Sequence, residues 1–394
     1  MGKIVFLLLL TVGMASPALA AERISVEQME HLLAAAHGQS DGKVAKQLSG
    51  LELTEQASSV RLARWEAAFP GRRSREALTE IAGASAFLSL PAADVLANAP
   101  PDRETQRAML DKTIDYVSKT VSRLPNFYAT RQTEHFEDTP PRETIDHLNA
   151  PMSGRQFGAH GVPSVSTGES EYVPMHPAGR SSVTVSYRDG YELRNSEKVS
   201  FDRLNQAAMG LTTAGEFGPI LTVVLQDATP DRMTWDHWQQ GASSQGGSSI
   251  EAVFRYVVPA EHSTYMVAIP HGDLTEQINP AYHGEIAIDP ANGEILRITV
   301  VADLVPPFEM VKISLLVEYG AIPIGGTTYI CPVKGVALSK MPVGVGSGEP
   351  LNAASPAQTQ LNVVAFTDYH LFRSDARIVP GYSETDEESP AGVK

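Results

Sequence analysis

Four features of this chain carry residue types that could do covalent, phosphate or metal chemistry, and each reads more simply in its surroundings. Gly38-Gln39-Ser40-Asp41-Gly42 matches the Gly-x-Ser-x-Gly pattern of a nucleophile elbow. That turn works where a strand feeds sharply into a helix and lifts the serine above a parallel sheet. Here the five residues follow a helical pattern far from any strand, so they read as a helix end at Gly38 and a fresh N-cap. Gly344-Val345-Gly346-Ser347-Gly348 has the glycines of a phosphate loop. Glu349-Pro350 follows it, where a phosphate site needs a helix whose first amides meet the anion, so it reads as plain loop. Cys331 is the single cysteine, which excludes an intrachain disulfide. With no histidine or basic group close in sequence to lower its pKa, it reads as a small buried hydrophobe at a strand end. The eleven histidines include no His-Glu-x-x-His. His135, His147, His160 and His176 gather around one irregular stretch at spacings that carry no ligand pattern. Catalytic residues, metal ligands and cofactors are therefore expected to be none.

One aromatic cluster supports a binding reading. Trp235-Asp236-His237-Trp238 lies in a strand pattern, which sends Trp235 and His237 to one face and Asp236 and Trp238 to the other. Core packing is one account of it, and an aromatic wall for an apolar ligand is the other.

The elements that must position these residues divide the chain in two. Residues 1–20 have the form of a secretory signal peptide: Lys3, an apolar run Ile4–Ala15, and the small-x-small site Ala18-Leu19-Ala20. The run is too short for a membrane-spanning helix, no other stretch is long enough, and no cysteine follows the cleavage site to take a lipid. A soluble exported chain beginning at Ala21 is expected, periplasmic or extracellular. Its formal charge moves from −15 to −16 with the loss of Lys3, which argues against nucleic acid as a partner.

From Ile24 to about Leu124 the period is helical. Ser25 and Gln28 make a capping box before Met29, Leu32, Leu33 and Ala36. Thr54 opens a second helix that stops at Pro70-Gly71, Arg72, Arg73 and Arg75 fall in a solvated loop, and Ser74 caps a third helix. Asp102 begins the longest, with Met109, Ile114, Val117, Val121 and Leu124 as its stripe and Pro125 as its end. Beyond it the period changes to two. Residues 137–180 read as a long loop and 380–394 as a disordered acidic tail. Between them strands recur to about Val379, with a hairpin at Arg188-Asp189-Gly190 and a turn at Asp289–Gly293. Leu296, Ile298 and Val300 oppose Arg297 and Thr299, and Val311, Ile313, Leu315 and Val317 oppose Lys312, Ser314 and Glu318. That is the alternation of an antiparallel sheet with one dry and one wet face.

The stretches Val185–Arg194, Val253–Ile269, His283–Leu304 and Val317–Leu338 together resemble bacterial exported proteins of the lipoprotein-sorting group. That group includes lipoprotein carriers and receptors and a periplasmic regulator of envelope stress. The resemblance covers about 126–379. It implies an α+β protein: an N-terminal helical segment, then a bent antiparallel sheet forming an open half-barrel with short covering helices, whose concave side accepts acyl chains. No short catalytic signature comes with it. The region 21–124, the long loop and the tail are not part of a minimal carrier.

The expectation is a non-enzymatic exported protein that binds an acyl chain, a lipoprotein or another apolar ligand. Trp235, Phe254, Tyr256, Tyr265, Val267, Ile313, Leu315 and Val317 are its candidate concave face, with Val258, Ile269 and Val311 beside them. Segments 201–213 (Leu204, Met209, Leu211) and 216–226 (Phe217, Ile220, Leu221, Val224) are the candidate lids. An envelope sensor or scaffold acting on a protein partner is the alternative, and an exported hydrolase without a short signature is the third.

Overall fold

A computed structural model describes residues 21–372 except 122, 141–142, 145–167, 170–171, 189–190, 195–218, 243–247, 272–273, 307, 309–310 and 343–355. The leader, the segment 201–213, Phe217, His147, His160 and the acidic tail lie outside the described residues.

The N-terminal part holds helices α1 (Val26–Ala36), α2 (Asp41–Leu48), α3 (Ser59–Ala68), α4 (Arg72–Ala84) and α5 (Arg103–Val121). Local chemistry sets their ends. Ser25 and Gln28 form the reciprocal capping box expected at α1. Gly38 takes φ +80°, the left-handed conformation that closes a helix, and Ser40 is the N-cap of α2, so the Gly-x-Ser-x-Gly run is a helix junction. Asp102 accepts from the Thr105 amide at 2.7 Å and opens α5.

Four expectations need correction here. The second predicted helix starts at Ser58, whose hydroxyl accepts from the Arg61 amide, and not at Thr54. Gly71, not Ser74, is the N-cap of α4; Ser74 is buried one turn in, bonded to Asp41, and Arg72, Arg73 and Arg75 are helical. Ile114 is exposed, off the packed stripe of α5.

The region also contains strands: β1 (Glu22–Ile24) pairs in parallel with β2 (Leu51–Leu53), and β3 (Val95–Leu96) joins the main sheet. Met29, Leu33, Val44, Leu48, Trp65 and Leu78 are the centre of a core belonging to these helices.

The rest of the chain supplies β4 (Phe127–Thr139), the short pair β5 (Glu143–Thr144) and β6 (Gly168–Glu169), β7 (Val173–Arg188) and β8 (Tyr191–Arg194). Helix α6 (Pro219–Asp227) follows, then β9 (Met233–Ala242), β10 (Ser248–Val258), β11 (Val267–His271), β12 (Leu274–Ile278), β13 (Ala281–Ile288) and β14 (Ile295–Asp303). Last come β15 (Lys312–Ile324), β16 (Thr327–Pro342) and β17 (Ala357–Leu371). Eleven strands form one open antiparallel sheet in the order β3-β9-β10-β13-β14-β15-β16-β17-β4-β7-β8. The predicted turn at Asp289–Gly293 joins β13 to β14, with Gly293 at φ +80° and its amide bonded to the Asp289 carbonyl at 2.9 Å. The predicted loop 137–180 is shorter than expected, because β4 runs to Thr139 and β7 begins at Val173.

The sheet is not dry on one face and wet on the other. Val311, Ile313, Leu315 and Val317 are buried as expected, and Lys312 is exposed. Ser314, Arg297 and Thr299 are buried as well, and Glu318 is half-buried. The N-terminal helices cover the second face: Ala86 packs with Phe136, Leu316, Val336, Leu361 and Val363. At Gly83, α4 lies so close to the sheet that a Cβ would overlap Val363 and press on Leu361. The residue shift at Ala287/Ile288 makes Leu296 the extra residue of a bulge, so Ile295, not Leu296, joins Ile298 and Val300 in the core.

Candidate functional site

The central strands β9, β10, β13, β14 and β15 present large apolar side chains to one face, and α5 and α6 lie over it. Phe254, Tyr256, Val258, Tyr282, Leu315 and Val317 are all buried in this cluster, with Trp235 and Tyr265 at its border. Val267, Ile269, Val311 and Ile313 belong to an adjoining cluster with Phe308, and Tyr265 touches both. Trp235, Phe254, Tyr256, Ile313, Leu315 and Val317 stand on strands of the main sheet, whereas Tyr265 precedes β11 and Val267 lies in it, and β11 pairs with β12 in a separate two-stranded sheet that packs against the main one.

A bulge revises the tryptophans. His237 pairs with Val253 and Trp235 with Phe254, which leaves Asp236 as the extra residue. Trp235 and Trp238 consequently stand on the same face, ring centres 4.7 Å apart in an edge arrangement, with Phe254 5.4 Å from Trp235. Asp236 and His237 turn together to the other face, bonded to each other at 2.7 Å. Strict alternation misplaces Trp238 and His237 for that reason.

The same layer contains a tyrosine group. Tyr282 lies 5.9 Å from Tyr256 and 5.4 Å from Tyr265 between ring centres. Tyr256 crosses over Gly284, its cross-strand partner, and its hydroxyl donates to the Thr299 carbonyl. Burial raises the pKa of Tyr256 and of Tyr282, and pushes Tyr265 up to about 12. Hydroxyls held protonated in this way bind and orient; they are poor bases and nucleophiles.

Ile220, Leu221 and Val224 of α6, and Met109, Leu110 and Val117 of α5, pack onto this face. The short helix expected at 216–226 is α6, and it does cover the apolar layer. Its far end is clasped by Asp227, a buried carboxylate that accepts from the Thr264 amide at 2.7 Å, the Thr264 hydroxyl at 2.9 Å and the Tyr282 hydroxyl at 2.9 Å. Sequence patterning missed this clasp. Tyr282 was not among the candidate residues, although it shares the period-2 run of Gly284 and Ile286, and nothing near Asp227 signals its partners. One cavity under these helices, of about 20 Å³, is lined by Tyr116, Val117, Leu124, Leu221, Ile295 and Tyr319 among others. That is about the volume of one water. Among the described residues, side chains of α5 and α6 pack directly on this apolar face.

His135 and His176 are not brought together as ligands. His135 bonds Asn362 and Ser181, and His176 bonds the Pro174 carbonyl. Cys331 is fully buried, unpaired, and its thiol is pushed up to about 12 by burial.

Fold and site together define an α+β protein built on one open antiparallel sheet, with an aromatic face under two helices. No family model, curated protein or solved structure matches the chain. No helix among the described residues is long and apolar enough to cross a membrane.

Proposed function

We propose that this is an exported, non-enzymatic binding protein in which α6 is a displaceable cover over the aromatic face, and that an acyl chain or similar apolar ligand takes its place. In this reading the sheet acts as the half-barrel of a lipoprotein-sorting-like protein, and Phe254, Tyr256, Tyr265, Leu315 and Val317 meet the ligand. The observation that carries it is α6 itself: a short helix held on the sheet by apolar side chains and clasped at one end by Asp227. Burying Ile220, Leu221 and Val224 is worth about 1.5–3 kcal/mol each, or about 5–9 kcal/mol in all. Ten methylenes of an acyl chain gain about 8 kcal/mol on the same face. The exchange is near balance, which is what a carrier that must both load and release requires.

The covered face favours a second reading, an envelope sensor or scaffold in which α5 and α6 stay in place and a protein partner reads the outer surface. Uptake of a fluorescent fatty acid separates them. Asp227→Ala should loosen the cover and raise uptake over wild type, and Phe254→Asp should abolish it. If folded wild type and folded Asp227→Ala both take up no probe, the carrier reading fails and the sensor or scaffold reading leads.

A further inference from the structure

Helix α6 has the outline of an apolar chain with a carboxylate head. Ile220, Leu221 and Val224 lie against the sheet, and Asp227, one turn beyond Val224 on the same side, is the last residue of the helix. Both oxygens of its side chain are engaged. Oδ2 accepts from the Thr264 amide at 2.7 Å and from the Tyr282 hydroxyl at 2.9 Å, and Oδ1 accepts from the Thr264 hydroxyl at 2.9 Å. Arg232 stands beside this group, its guanidinium donating to the Asp227 backbone carbonyl at 2.8 Å. All these donors lie outside α6: between β10 and β11, in β13, and in the turn leading into β9. They form a receptor for a carboxylate at one end of the aromatic face, and the helix fills it with its own.

When α6 lifts off, Asp227 leaves with it, and two hydroxyls and one amide lose their acceptor. A ligand that then covers the face shuts water away from the Tyr282 hydroxyl, and a buried donor without a partner costs the full desolvation of the group. The head of the ligand must therefore supply acceptors where Asp227 did. An alcohol oxygen or an ester carbonyl offers two lone pairs, whereas a carboxylate offers about four sites across two oxygens, enough for three converging donors. An amine brings donors to donors. A phosphate monoester has acceptors enough but carries up to a second negative charge, which must be desolvated against an apolar face. From Ile220 to Asp227 the helix rises about 10 Å, the length of an extended chain of about eight carbon–carbon bonds.

We propose that the ligand of the aromatic face is a free fatty acid, whose carboxylate takes the place of the Asp227 side chain on Thr264 and Tyr282 while its chain takes the place of Ile220, Leu221 and Val224. This rests on the carrier reading and narrows it, since an acyl chain held as an ester or amide has no such head. The test is titration calorimetry of the full chain near pH 8 with decanoate, decanol, decylamine and decyl phosphate. Decanoate should bind about tenfold or more tighter than decanol. Thr264→Val, at an exposed residue, and Tyr282→Phe each remove one donor hydroxyl and should cut that preference severalfold. Asp227→Ala removes the internal competitor and should strengthen decanoate binding by more than decanol binding. Equal binding of decanoate and decanol, or tighter binding of decylamine or decyl phosphate, overturns the carboxylate assignment and leaves the carrier reading standing. A preference that all three folded variants leave unchanged overturns it too. If none of the four compounds binds folded wild type or folded Asp227→Ala, the carrier reading fails and this inference with it.

Discussion

Glu80 gives the sharpest test of how the helical layer sits on the sheet. It lies in α4, is 8% exposed, and makes no hydrogen bond among the described residues. Burial, with the Glu76 carboxylate one turn away adding to it, raises its pKa from an ordinary 4.5 to about 8. A carboxyl whose folded pKa is raised contributes its full stability below the unfolded value and loses it as pH climbs to the folded value. Through that interval the unfolded chain has released a proton that the folded chain keeps. Each pH unit then removes about 1.4 kcal/mol, so this one group should cost wild type on the order of 3–4 kcal/mol between pH 5 and pH 8. Glu80→Gln keeps the shape and removes the titration. Urea unfolding of both proteins across pH 5–8 reads the effect: the wild-type stability should fall towards that of the variant, or below it, as pH rises, and the difference should have a slope near 1.4 kcal/mol per unit. Differencing cancels Glu134, Glu251 and Glu294, whose pKa values burial also raises. If the two curves run parallel, Glu80 is ionised and solvated, and the packing of α4 on the sheet is not as described.

Gly284→Ala should destabilise by about 3 kcal/mol or more in the same assay, because its Cβ would overlap the Thr299 carbonyl as well as the Tyr256 hydroxyl, and backbone cannot swing away. Cys331→Ser should cost about 1–2 kcal/mol by placing a hydroxyl among Phe127, Ile324 and Val364, and the native thiol should resist labelling reagents until the chain unfolds.

Periodicity shows which residues alternate, but not what covers them. Val311, Ile313, Leu315 and Val317 could be placed because a strand with four apolar residues on one side must bury that side. Arg297, Thr299, Ser314 and Glu318 were misplaced because polar residues read as solvent-facing, whereas α3 and α4 cover that side too. The buried charges find partners only after the chain has folded: Arg297 meets Gln239, 58 positions earlier. Bulges are equally silent, since one extra residue at Asp236 or Leu296 leaves composition untouched and reverses the face of everything on one side of it. Caps were legible where one residue and its neighbour three positions on decide the matter, as at Ser25 and Asp102. At Thr54 and Ser74 an equally good capping residue was present, but tertiary bonds to Ile24 and Asp41 claimed it instead.

The position of β17 sets the order in which this molecule can be completed. It is the last described strand in sequence, yet it lies inside the sheet, pairing with β16 on one side and β4 on the other. Without it the sheet falls into two pieces, one ending at β16 and the other holding only β4, β7 and β8. The pair β4–β17 joins residues more than 220 positions apart, such as Phe136 and Leu361, so loop closure must precede any gain from that contact. While the chain is still being made, β4 pairs with β7 on one side and waits with its other edge open for β17. Completion is a single late insertion, and a truncation before residue 357 should leave two sticky half-sheets rather than a smaller version of the same protein.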